Sequence, residues 1–191
     1  MTLNDFIAFY PNRDSSRQIP KLAGNYFVLI RDLSALPNRG YKVSCKMFSG
    51  MNVIYTGVSR KSLYNRIRKD HLGSVSGNST LRQSLGCLFG YEQFPRDVNN
   101  PDNNHIRFSK ENEAMLTAWM KANLIFYFLP YQDYSILESA LIRLFNPPLN
   151  LDGDLAVENA AFRAFISVLR DETPWQTKYQ KVQALLNELN G

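Results

Sequence analysis

Residues 24–31, Gly24-Asn25-Tyr26-Phe27-Val28-Leu29-Ile30-Arg31, decide what kind of fold this chain can adopt. Asn25–Arg31 is rich in aromatic and branched residues and reads as a mostly buried strand, opened by Gly24. Just beyond it, Leu33–Gly50 contains Pro37, Asn38, Gly40 and Gly50, and reads as a loop or hairpin-like excursion. Asn52–Val58 (NVIYTGV) is a second strand. Its Gly57 is unusual in a strand interior and suggests a close backbone approach or a bulge. Asn123–Leu129 (NLIFYFL), ended by Pro130, is a third. Residues 1–23 carry no strong pattern.

Helical signals fill the remainder. Ser59 or Ser62 can cap a helix reaching about His71, with Leu63 and Ile67 on its buried side and Arg66, Arg68 and Lys69 at the edge or outside. Gly73–Ser79 is a Gly/Ser/Asn loop, Thr80–Phe89 a helix closed near Gly90, and Tyr91–Arg107 a long, irregular surface loop. A helix from Ser109 to about Ala122 carries Glu111 and Glu113 in its first turn, where the dipole favours them. Ser135 to about Phe145 is a helix stopped by Asn146-Pro147-Pro148. Two further helices are expected at about Val157–Arg170 and Pro174–Asn190. The expected architecture is therefore α+β: a small, central, three-stranded, mainly antiparallel sheet flanked by helices, with a C-terminal helical extension.

The 191 residues, 45% hydrophobic and 20% charged, suffice for one domain with a real core and a small extension. The net charge is +5, unevenly spread: residues 1–95 carry +8 and residues 96–191 carry −3. A basic half suggests a polyanionic partner, and a solvated basic face is the plainer alternative. Cys45 and Cys87 have no metal-ligand spacing and suggest no secreted disulfide framework, so a reduced intracellular setting is the default expectation, with a single disulfide left open. Met1–Tyr10 lacks a basic start followed by an apolar stretch, so no signal peptide is expected. No apolar run approaches a membrane span.

Specific chemistry emerges from Gly24-Asn25-Tyr26 and Tyr55-Thr56-Gly57, each at or in an expected strand, followed by the basic helix with Arg66. Then comes Glu138-Ser-Ala-Leu-Ile-Arg-Leu-Phe-Asn-Pro-Pro-Leu-Asn150, with Glu138 and Asn150 twelve apart and Pro147 three before Asn150. In this order the residues resemble the GIY-YIG nuclease family, which includes homing endonucleases, some restriction enzymes and the incision subunit of bacterial nucleotide excision repair. The resemblance covers roughly residues 24–151, with an insertion at about 73–122, and leaves 1–23 as an N-terminal segment and 152–191 as a helical extension. Asn25 and Thr56 depart from the family's usual middle residues of the two triplets. The family often has a His or Tyr four residues after the arginine; here Asp70 stands there and His71 follows. On an ideal α-helix Arg66 and His71 lie about 140° apart, so His71 joins the site only where the helix is ending.

The resemblance implies a metal-dependent DNA endonuclease with catalytic residues Tyr26, Tyr55, Arg66, Glu138 and Asn150, His71 as a further candidate, and Glu138 anchoring Mg²⁺ or Mn²⁺. Phosphodiester hydrolysis needs an activated water, charge stabilisation at the phosphoryl oxygens and help for the leaving 3′-oxygen; a divalent metal serves the last two. One carboxylate with several waters is an adequate Mg²⁺ anchor. Independently of the family, Glu138 has Leu141 and Ile142 at i+3 and i+4 on a largely apolar helix, where a carboxylate needs a cation, a metal or a proton. A core-edge ion pair is the alternative. Arg66 offers a permanently charged fork matched to phosphate, or an i,i+4 pair with Asp70. Tyr55 is the candidate base or water-positioning group, although an unperturbed phenol titrates near pH 10 and so needs nearby cations; Tyr26 would hold the water or the phosphate. Either can equally be a packed strand tyrosine. Asn150 would pin strand ends or form an Asx-turn before Gly153. Arg60, Lys61, Arg68, Lys69 and Arg82 are the candidate nucleic-acid contacts.

Three other readings stay open at this level: a non-catalytic nucleic-acid-binding module of the same fold, a structural or protein-interaction role using the C-terminal helices and Trp175, and RNA as the substrate. Oligomeric state and sequence specificity are not legible.

Overall fold

The computed structural model describes residues 2–95 and 106–171. Its centre is β2 (Gly24–Ile30), whose seven residues are all buried. β2 has a strand on each side, β4 (Met51–Ser59) and β7 (Leu124–Pro130), and both its faces are covered. A strand without a wet face has no reason to alternate, which is why its sequence is a continuous apolar run.

The sheet is antiparallel throughout, but it has five strands rather than the expected three. With β1 (Ile7–Phe9) and β3 (Met47–Phe48) at its edges, the order is β1-β7-β2-β4-β3. β1 comes from the patternless N-terminal segment and pairs with β7; β3 comes from the 33–50 excursion and pairs with β4. Strands of three and two residues are too short to display a period of two. They form because strong central strands offer them a ladder. The β3–β4 hairpin turns through Ser49 and Gly50, both at positive φ, as a two-residue hairpin turn requires.

One face of the sheet carries Phe27, Leu29 and Val53 against Leu137, Leu141 and Phe145 of α3 (Tyr134–Phe145), with Phe6 beside them. The other carries Tyr26, Val28, Ile30, Tyr55, Phe126 and Phe128. On that side pack Leu81, Leu85 and Leu88 of α1 (Thr80–Phe89), Leu116 and Met120 of α2 (Lys110–Asn123), and Phe162 and Ile166 of α4 (Ala160–Asp171). The register between β2 and β4 slips at Val28/Leu29, so that Val28 faces Tyr55 while Leu29 faces Val53, leaving Ile54 as the extra residue. Without that bulge Tyr55 would alternate onto the α3 face; with it, Tyr55 shares the face of Tyr26.

The expected loop 91–107 contains, at its described ends, a two-residue pairing of β5 (Phe94–Pro95) with β6 (Ile106–Arg107). The expected helix 174–190, and Trp175 with it, lies outside the described residues. Among the described residues, no helix is long and apolar enough to cross a membrane.

Candidate active site

Tyr26 sits in mid-β2 with no solvent exposure, its hydroxyl directly over Gly57 of β4. A Cβ at residue 57 would overlap that hydroxyl, so the glycine in the strand is the space the phenol occupies. Tyr55 lies two residues earlier on the same face, its ring centroid 6.3 Å from that of Tyr26.

The helix after β4 supplies the cation. Ser62 Oγ accepts from the Asn65 N–H, and the chain is π-helical over Asn65–His71, closing with Leu72 N–H donating to the Ile67 carbonyl. The wider i→i+5 turn brings residues five apart closer to one face than an α-helix does. The α-helical expectation of about 140° between Arg66 and His71 therefore does not hold, and both side chains meet at Tyr26. Arg66 Nε donates to the Tyr26 hydroxyl at 3.1 Å, and His71 Nε2 lies 2.7 Å from the same oxygen. Arg66 also donates through Nη1 to the Asn78 carbonyl (2.6 Å) and pairs with Asp70 at 3.6 Å. The His71 ring lies edge-on to both tyrosines, and its Nδ1 is 2.7 Å from Ser79 Oγ.

The electrostatics follow from this packing. Burial drives the Tyr26 hydroxyl far above its ordinary range; Arg66 counteracts this in part. Tyr55 is raised by burial and pulled back by the charge and hydrogen bonding of Arg66 and by the Tyr26 hydroxyl, while the negative charge of Glu138 pushes it up. Burial, then Arg66 and Arg82, hold His71 neutral, well below the usual imidazole range.

Glu138 lies on α3, half-buried, where burial raises its carboxyl and the charges of Arg60 and Arg66 lower it. It makes no hydrogen bond or ion pair among the described residues, so the core-edge ion pair weighed from the sequence is not formed. Asn25, the departure in the first triplet, is fully buried, and its Nδ2 donates to the Tyr134 carbonyl (2.8 Å) in the turn of α3 that leads to Glu138. A half-buried carboxylate without a protein partner is the group among these residues that could hold a Mg²⁺ or Mn²⁺ ion, with waters filling the remaining positions. Among the described residues no group of three or more His, Cys, Asp or Glu is gathered to hold a metal.

Asn150 acts as a piece of strand. Its Oδ1 accepts from the Thr56 N–H (2.9 Å) and its Nδ2 donates to the Thr56 carbonyl (3.0 Å), while Leu149 N–H donates to the Ile54 carbonyl. These bonds close the edge of β4 beyond β3, next to Tyr55, and replace the Asx-turn alternative. Behind the segment, Arg163 of α4 donates to the carbonyls of Asn146, Pro147 and Ala156. The C-terminal extension thus clamps the motif.

The basic residues divide. An open cavity of about 400 Å³ is lined by Val58, Arg60, Lys61, Asn65, Arg66 and Asp70 among others. Arg60, Lys61 and Lys69 are exposed and Arg68 half-buried, and none makes a hydrogen bond or ion pair among the described residues. Arg82 is different, and its assignment to nucleic acid is corrected. It has no exposure, pairs with Glu113, itself 4% exposed, and donates to the His71 carbonyl (3.0 Å) and Thr117 Oγ1 (2.9 Å). The sequence showed a basic residue beyond a Gly/Ser loop; the apolar spacing Leu81, Leu85, Leu88 could have warned that this helix is buried nearly all round. Ser79 and Glu113 were missed: the partners of Glu113 lie 31 and 37 residues away, and Ser79 reads as the last residue of a Gly/Ser/Asn loop until the fold sets its hydroxyl against His71.

The family model of the GIY-YIG catalytic domain matches residues 24–172. No curated protein and no solved structure matches the chain. The match takes in the strand of Tyr26, the strand of Tyr55, the π-helix, α3 and the Asn150 segment, and on it the chain belongs to the GIY-YIG catalytic domain family.

Proposed function

We propose that this chain is a metal-dependent endonuclease that hydrolyses DNA phosphodiester bonds, using Tyr26, Tyr55, Arg66, Glu138 and Asn150, with His71 as part of the same site. The observation that carries the reading is the convergence of Arg66 and His71 on the Tyr26 hydroxyl, beside Tyr55 and within electrostatic reach of a carboxylate that has no protein partner.

In this reading Glu138 holds a divalent cation, which when bound supplies charge neutralisation at the phosphoryl oxygens and at the leaving 3′-oxygen. Arg66, fixed by Tyr26 and the Asn78 carbonyl, offers its remaining donors to the scissile phosphate. Tyr55, once its own proton has gone to solvent, takes the proton of the attacking water. Arg66 favours that loss; burial and the Glu138 charge oppose it. A cation held by Glu138 would remove one of those oppositions. Tyr26, more deeply buried, orients rather than titrates. Asn150 fixes the edge of β4 and hence Tyr55. Arg60, Lys61, Arg68 and Lys69 contact the backbone of the flanking nucleic acid.

The test is plasmid nicking: supercoiled DNA with Mg²⁺ or Mn²⁺, beside Glu138→Ala and an EDTA control. Nicking that vanishes in both controls supports the reading. DNA left intact while RNA is cut moves the substrate to RNA. Intact nucleic acid of both kinds, with salt-sensitive binding retained, overturns catalysis in favour of a binding module.

A further inference from the structure

The buried hydrogen bonds behind Tyr26 reach from the active site into the insertion, and their donors and acceptors can be counted. Ser79 has no solvent exposure. Its Oγ accepts from the Arg82 backbone N–H at 3.1 Å, which makes it the N-cap of α1. Its other partner is His71 Nδ1 at 2.7 Å. A serine hydroxyl has one hydrogen to donate. Among the described residues that hydrogen has one available acceptor, His71 Nδ1.

The consequence runs outward. A neutral imidazole that accepts at Nδ1 carries its proton on Nε2. His71 Nε2–H then donates to the Tyr26 oxygen at 2.7 Å, which also receives Arg66 Nε–H at 3.1 Å. With both lone pairs of the phenol oxygen taken by N–H donors, the Tyr26 O–H hydrogen turns away from His71 toward the Tyr55 hydroxyl, and the hydrogen bond between the two favours the ionised form of Tyr55. The opposite arrangement, with His71 Nδ1–H donating to Ser79, would bury the Ser79 hydrogen without an acceptor. Buried polar hydrogens are rarely left so.

We infer that Ser79 is a positioning residue that fixes His71 as the Nε2–H tautomer, so that donation runs in one direction from Ser79 through His71 and Tyr26 to Tyr55. The inference deepens the proposed cleavage reading and rests on it for the role of Tyr55, though not for the tautomer itself. It also gives the insertion a task. Ser79 is held by capping α1, and Arg82 grips the His71 carbonyl while its own charge is balanced by Glu113. Ser76 Oγ and N–H both bind the Glu113 carboxylate.

The tautomer is read directly by nitrogen-15 NMR of histidine-labelled, full-length protein. There are two histidines, His71 and His105, and a His105→Asn variant assigns them. The expected result is a proton on Nε2 of His71 and none on Nδ1 at neutral pH; a proton on Nδ1 overturns the inference, whether or not the protein cuts DNA. For catalysis, Ser79→Thr keeps donor and cap and should keep the wild-type rate. Ser79→Ala should lower kcat about tenfold or more at unchanged KM, a fraction of the ~10²–10⁴ that acid–base groups contribute. It should also move the rising limb of the kcat–pH profile to higher pH, because Tyr55 loses a donor that favours its ionised form. An unshifted profile and unchanged kcat in a folded Ser79→Ala overturn the relay. If wild type cuts no nucleic acid, the cleavage reading fails while the NMR result still decides the role of Ser79.

Discussion

Arg82→Met should cost stability rather than nucleic-acid affinity. Arg82 and Glu113 are 0% and 4% exposed, and each is the other's ion-pair partner. Removing one side of a buried pair leaves a buried charge without its counter-ion, at about 3–5 kcal/mol. The lost guanidinium also abandons the carbonyls of His71 and Glu113 and the Thr117 hydroxyl. Those losses put the effect at the upper end of that range, a large part of the ~5–15 kcal/mol that holds an ordinary domain together. Urea unfolding followed by circular dichroism should show the midpoint falling with little change in slope. Arg82→Met/Glu113→Leu should recover part of the loss, because the buried charge without a counter-ion goes with it while the His71 and Glu113 carbonyls still lack the guanidinium. DNA affinity and its salt dependence should match wild type at temperatures where the variant is folded, whereas Arg60→Ala should change affinity and leave stability within about 0.5 kcal/mol. An Arg82→Met protein within 1 kcal/mol of wild type by the same assay, but with a reduced salt slope, would refute this account (the threshold is about the ordinary effect of a point mutation).

Asn150→Ala should destabilise by about 2–4 kcal/mol in thermal or chemical unfolding, since it strands the buried N–H and carbonyl of Thr56. Asn150→Asp should lose activity as well, because a carboxylate cannot donate to the Thr56 carbonyl. Gly57→Ala should reduce cleavage at least about tenfold through displacement of Tyr26, a small misplacement of catalytic groups being costly; crystal structures or tyrosine NMR shifts check the displacement. Glu138→Gln should melt higher than wild type at neutral pH without metal. Burial raises the folded-state carboxyl, so the wild-type fold binds more protons than the unfolded chain just above the usual carboxylate range. Wild-type stability therefore falls as pH rises through that window, a loss Gln does not suffer. The gap should close at acid pH, and with Mg²⁺ that wild type alone binds.

The residues themselves determined a good deal. β2, β4 and β7 announce themselves through aromatic and branched runs, and α1, α2 and α3 through caps, apolar spacing and the Asn146-Pro147-Pro148 stop. The Tyr, Arg, Glu and Asn positions were legible because the family's motifs keep their order and spacing along the chain, and Gly57 because a glycine inside a strand demands an explanation.

The tertiary structure decided what depends on partners far away in the chain. β1 and β3 exist by pairing, without a pattern of their own. Nothing local in Asn65–His71 calls for a π-helix; the wider turn is stabilised by what it delivers, two side chains bonded to Tyr26, 40 and 45 residues away. Arg82 looked like a phosphate contact because a sequence displays charge but not depth. Its partner Glu113 is 31 residues on, and only packing two inserted helices against the sheet takes both charges out of water together. Local sequence sets periodicity, caps and turns, which are short-range energies. Burial, ion pairing and the tautomer of a buried imidazole are set by whatever the fold brings into contact.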